Sequence, residues 1–275
     1  MAWSVQVRGP ACHGSKVTRR IDASLGPPAH VGIRGRMHND VMALLFRIVF
    51  GIHVLAGAMA LLVFWIPLVT KKGGRTHRAF GWVYVAAAAT VAVTGIGSAV
   101  RLVVEGSGLG PHRGRPWAGI FLVYVGLFAA ESALLGVLAL RPRARLTRLG
   151  RPADLIPPLI LVAGGVLLAA FGVAQERLLV VLFAALGVAQ GVAHLRAWRT
   201  PSSSREGRVL AHLGAMGTSC ITTLTAFVVV NAPRLGLRRF DPSVWFVPIV
   251  LLGLGLTILR RRRAKRLANG DAPLE

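Results

Sequence analysis

Seven long apolar segments, cut apart by arginine-rich loops, constrain this chain more than any other feature. They run roughly over 48–70, 79–100, 117–140, 155–175, 178–197, 209–231 and 244–259. A helix needs about 20 apolar residues to cross about 30 Å of hydrocarbon, and most of these segments come near that length. The expected fold is therefore all-α: a polytopic membrane helix bundle with seven transmembrane helices. Hydrophobic residues are 54% of the chain and charged residues 16%, which fits a membrane protein and not a soluble domain. The bundle is expected to occupy 42–263. It would follow a disordered basic tail over 1–41 and precede a short cytoplasmic tail over 264–275. Residues 1–36 lack the apolar centre of a signal peptide, and Met37 or Met42 would serve equally well as a start.

The net charge of +23 raises nucleic acid as a partner, but the placement of the charge argues against it. The basic residues sit in short loops and at helix ends, as in Arg141, Arg143, Arg145, Arg148 and Arg151, or Arg260 to Arg263. That pattern marks topology and contact with anionic lipid headgroups. The expected partners are the lipid bilayer and those headgroups, with a homo-oligomer as a further candidate. The two cysteines, Cys12 in the tail and Cys220 inside the sixth segment, offer no disulfide framework.

The charges also orient the chain. The 1–2, 3–4 and 5–6 connections and the C-terminus carry 19 basic residues, and the opposite side carries 6 outside the tail. Positive-inside logic puts the N-terminus outside and the C-terminus in the cytoplasm of a bacterial (inner) membrane. The delicate point is the junction of segments four and five, where only Gln175, Glu176 and Arg177 separate the apolar runs. A helical hairpin closes with about 2–5 residues, so seven spans are expected.

Ionisable groups inside lipid are costly and become the candidates for function. At about 1.5 Å of rise per residue, His77, His194 and His212 share one inner layer. His53 lies about 20 Å from them along the membrane normal, and Glu131 about 14 Å from the inner end of span three. His53 with His212 therefore fails as a haem pair, since two axial ligands must share a depth. His77, His194 and His212 are candidate metal ligands, and a haem pair drawn from them is the alternative. Interfacial hydrogen bonding of the same histidines is the plainer reading. A lone mid-membrane Glu131 needs protonation or a partner, either a hydroxyl or a histidine. On span six, His212, Met216, Ser219 and Thr223 share one face and form the expected lining of any internal site. Gly187 with Gly191, and the Gly164–Gly165 pair, read as close-packing notches. Arg101 and Glu105 read as a structural ion pair.

Several stretches resemble an uncharacterised group of bacterial membrane proteins related to the domain-of-unknown-function 2306 family. They are Lys71-Lys72-Gly73-Gly74-Arg75-Thr76-His77-Arg78 with Gly81, His53 to Gly57 (HVLAG), His212 to Met216 (HLGAM), Thr225 to Asn231 (TAFVVVN), and Trp245 with Pro248. The likeness spans about 48–263. It implies a helical bundle and draws His53, His77, His212 and Met216 together as candidate cofactor-binding residues, but it brings no reaction. His194 and Glu131 fall outside its motifs.

No Walker loop, dinucleotide fingerprint, His-Glu-x-x-His pair, nucleophile elbow or CxxC motif is present. The function expected is that of an integral membrane protein with a histidine-centred haem, divalent-metal or redox site near the cytoplasmic face. The alternatives are a small-solute or proton-coupled transporter, a ligand-binding bundle, or a structural membrane protein without catalysis. A three-histidine membrane hydrolase is less favoured, because the closing His-x-x-x-His is missing.

Overall fold

The computed structural model describes residues 29–104, 116–140, 152–199 and 204–268. Cys12, Glu105, the arginines of the 3–4 loop and both chain ends lie outside the described residues. Among the described residues eight α-helices follow one another: α1 (Ala29–Val63), α2 (Trp65–Val69), α3 (Arg75–Val104), α4 (Pro116–Leu138), α5 (Ile156–Ala174), α6 (Leu178–Arg199), α7 (Arg205–Asn231) and α8 (Pro242–Ala268). Short 3-10 turns at Pro152–Leu155 and Ala232–Leu235 lead into α5 and follow α7. No strand occurs among the described residues.

Seven of the described helical stretches are long and apolar enough to cross a membrane: Asp40–Val69, Arg75–Val104, Pro116–Leu138, Ile156–Ala174, Leu178–Arg199, Arg205–Leu235 and Pro242–Arg266. The protein is a multi-pass helical bundle of the membrane class. Only helices satisfy every backbone donor and acceptor within one segment, which hydrocarbon requires of an open chain. The outward faces carry bare aliphatic chains such as Leu62, Leu167 and Leu251, a surface that lipid covers and water does not. Helix α1 begins at Ala29, well inside the segment read as a tail.

Punctuation is local and legible. Asp241 opens α8: its carboxylate accepts the Ser243 hydroxyl at 2.7 Å and the Ser243 amide at 2.9 Å, ahead of Pro242 at the first helical position. These two bonds hold the exposed Asp241 carboxyl below its ordinary range. Lys72 closes α2 by donating to the carbonyls of Pro67 (2.7 Å) and Leu68 (2.5 Å). Between α5 and α6 the chain reverses over three residues. Glu176 takes a left-handed φ of 52°, and the Arg177 amide reaches back to Gly172 O at 2.8 Å. The hairpin expected at that junction is present.

Helix α4 is the hub, packing against α3, α5, α6 and α7, while α8 leans on α7. An apolar core built on Phe121, Phe183 and Trp245 fills the half of the bundle near the start of α4. Their rings meet edge to face at 5.1–5.3 Å, and the Trp245 indole donates to Arg239 O at 2.7 Å. A Cβ on Gly165 would strike Tyr124 and Val188, and one on Gly191 would strike Val162. The small residues are notches that seat α5 on α6 and admit Tyr124, whose hydroxyl donates to Leu161 O at 2.9 Å. Polar side chains gather toward the other end of α4, where Lys72, Arg75, Arg78, Arg199, Arg205, Arg208 and Arg260 also lie. We call this the basic end.

Candidate functional site

Two polar groups stand beside that hub, and they divide the histidines differently from their order in depth. The first joins α4 to α6. His194 Nδ1 and Glu131 Oε1 are in hydrogen-bond contact, with both residues almost fully buried. Gln190, one turn before His194, donates to Glu131 Oε2 at 2.5 Å, to Ser132 Oγ at 2.9 Å and to Phe128 O at 3.3 Å. Ser132 in turn donates to Phe128 O at 2.8 Å. A carbonyl can only accept, so Phe128 O fixes which end of the Gln190 amide faces the group. Glu131 thus meets a donor at each carboxylate oxygen.

The second group joins α3, α4 and α7. His77 Nδ1 lies 3.1 Å from Pro67 O, and His212 Nδ1 lies 2.8 Å from Gly136 O. A carbonyl partner requires each Nδ1 to carry the proton, which leaves each Nε2 as a lone-pair edge. The two rings sit 6.3 Å apart, centroid to centroid, at 64° to one another. Neither Nε2 is hydrogen-bonded among the described residues.

The remaining candidates are placed elsewhere. His53 Nδ1 is 3.0 Å from Thr94 Oγ1, in another region of α1 and α3, far from the basic end. Met216 fills the notch at Gly136 and packs with the Ala60, Val63, Phe64 and Tyr84 cluster. One turn further on, Ser219 meets the Tyr84 hydroxyl at 2.8 Å, and Thr223 meets it at 3.3 Å. The Ser219 and Thr223 hydroxyls of the span-six stripe therefore dock Tyr84. Three converging histidine ligands are not formed: His194 on α6 is held by Glu131 on α4, while the rings of His77 and His212 face one another. Among the described residues no three His, Cys, Asp or Glu side chains are grouped to hold a metal ion.

Sequence reasoning missed Gln190, Ser132 and Tyr84. The signal for Gln190 was available, because it and His194 are the only polar side chains between Leu178 and Leu195, four residues apart on one face. Tyr84 carried no such signal. Its partners lie 135 and 139 residues away, and nothing on α3 anticipates them.

No family model, curated protein or solved structure matches the chain.

Proposed function

We propose that the protein is a membrane haem or redox protein in which His77 and His212 would hold the group, a divergent relative of the domain-of-unknown-function 2306 proteins in a bacterial inner membrane. The observation that carries this reading is the preparation of the two imidazoles. Each has its Nδ1 held by a main-chain carbonyl, which fixes tautomer and ring orientation as in most metal-bound histidines. The two rings come from different helices and stand 6.3 Å apart, centroid to centroid. The donor set favours haem over a bare divalent ion. A porphyrin brings four nitrogens of its own and asks only two imidazoles of the protein, whereas a tetrahedral ion asks three or four protein donors. When bound, such a group would supply one-electron chemistry. The protein's role is to set the ligand tautomers through Pro67 O and Gly136 O.

Protein purified from a haem-competent host should show a visible absorbance band and bound iron. H77A and H212A should each lose most of both, while H53A keeps them. Colourless, metal-free wild-type protein from that host would end the proposal. The orientation that accompanies it puts the basic end, with both histidines, at the cytoplasmic face.

A second reading, proton-coupled transport, is favoured by one observation: a carboxylate and an imidazole paired in the interior of the bundle.

A further inference from the structure

The Glu131–His194 group is not used by the histidine pair and rests on none of the evidence for it. We propose that it is a reversible proton-binding site in which one proton is taken up and released at His194 Nε2, exchanging with the aqueous phase at the basic end of the bundle.

With the imidazole proton on Nδ1, Glu131 accepts at Oε1 from His194 and at Oε2 from Gln190. A carboxylate with a donor on each oxygen is arranged as the ionised form. With the single imidazole proton on Nδ1, the buried pair carries one net negative charge. Adding a proton at Nε2 turns the pair into imidazolium beside carboxylate, with no net charge. No covalent bond other than N–H forms, and the proton comes from and returns to water. A net charge is costly in so apolar a setting, and a compensated pair is much less so. The two states therefore differ in charge while keeping the same hydrogen bonds.

Nε2 is the ring nitrogen that the bond to Glu131 leaves over, and it makes no hydrogen bond among the described residues. His194 stands five residues, about 7.5 Å, before the end of α6 at Arg199.

Other ionisable groups on the packed elements are committed elsewhere. Helix α5 has none. On α4, Tyr124 donates to Leu161 O. On α3, Tyr84 is bound to Ser219, and His77 faces Pro67 O. On α7, His212 faces Gly136 O, and Cys220 packs beside Phe64 and Tyr84. Arg196 and Arg199 on α6, Arg75, Arg78 and Arg101 on α3, and Arg205, Glu206 and Arg208 on α7 stand near the helix ends.

The test is assigned 15N-histidine NMR of the full chain in lipid bilayers, recorded across pH. His194 Nδ1 should stay protonated throughout. Nε2 should pass from bare to protonated as pH falls. In E131Q, the neutral amide no longer balances an imidazolium, so the same Nε2 change should move to lower pH. The wild-type spectrum alone decides the matter if E131Q does not fold. An Nε2 that holds one state over the whole pH range of the folded protein overturns the proposal, as does an E131Q protein whose Nε2 change stays in place.

Discussion

At the scale of single residues, the Glu131–His194 pair is almost fully buried. Removing one partner of a buried pair strands the other and costs about 3–5 kcal/mol, whereas removing both leaves nothing uncompensated. A denaturant series on H194A, E131A and the double variant should therefore be strongly non-additive. The double variant should be more stable than the sum of the singles by about 2 kcal/mol or more. Additivity within about 0.5 kcal/mol would mean that the two side chains do not act as a unit. Tyr84 gives a smaller effect for a related reason. Y84F leaves Ser219 buried without its hydroxyl partner, while Thr223 still donates to Ser219 O at 3.1 Å. The expected loss is about 1–2 kcal/mol, read as a lowered unfolding midpoint in detergent.

At the scale of elements, the seven helices were legible because lipid demands length and apolarity together, and both are written in the sequence over each span. The α5–α6 reversal was legible too, since Gln175-Glu176-Arg177 is too polar to sit inside a helix in hydrocarbon. What was not legible is which face of each helix meets which neighbour. Nearly every position on these spans is apolar, so periodicity separates lipid-facing from bundle-facing residues poorly. Depth placed His194 with His77 and His212, but rotation about the helix axis decided that it pairs with Glu131. Depth is one coordinate, and a site needs three.

The α5–α6 reversal also carries a prediction of its own. Glu176 holds a left-handed backbone at a cost of about 1–2 kcal/mol for a residue with a Cβ. Glycine would remove that cost but loosen the unfolded chain by about 0.4–1 kcal/mol. E176G should thus raise stability by about 0.5–1 kcal/mol, read as a higher unfolding midpoint in detergent. A lower midpoint for E176G would show that the Glu176 side chain contributes something the backbone argument omits.

At the scale of the whole molecule, the number of crossings sets each side chain's depth and the direction of threading sets its face. The antiparallel order of seven spans puts the α2–α3 turn, the 3–4 and 5–6 connections and the end of α8 at one face. Those are the segments where the basic residues concentrate, 19 against 6 on the opposite side. Charge retained in the cytoplasm is the dominant orienting signal for short loops. The segment before span one works against it, since six more basic residues precede Asp40 and would have to cross. The asymmetry still favours the basic end inside. Reporter fusions at Gly73, Arg143, Arg205 and after Arg266 should all report the cytoplasm, and fusions at Gln175 and Leu237 the opposite face. Deleting residues 1–39 should leave that pattern unchanged, because it removes opposing charge and none of the span that starts at Asp40. If Arg143 and Arg205 reported opposite faces, α5 and α6 could not both cross. His194 would then lie at a different depth from the one its bond to Glu131 requires.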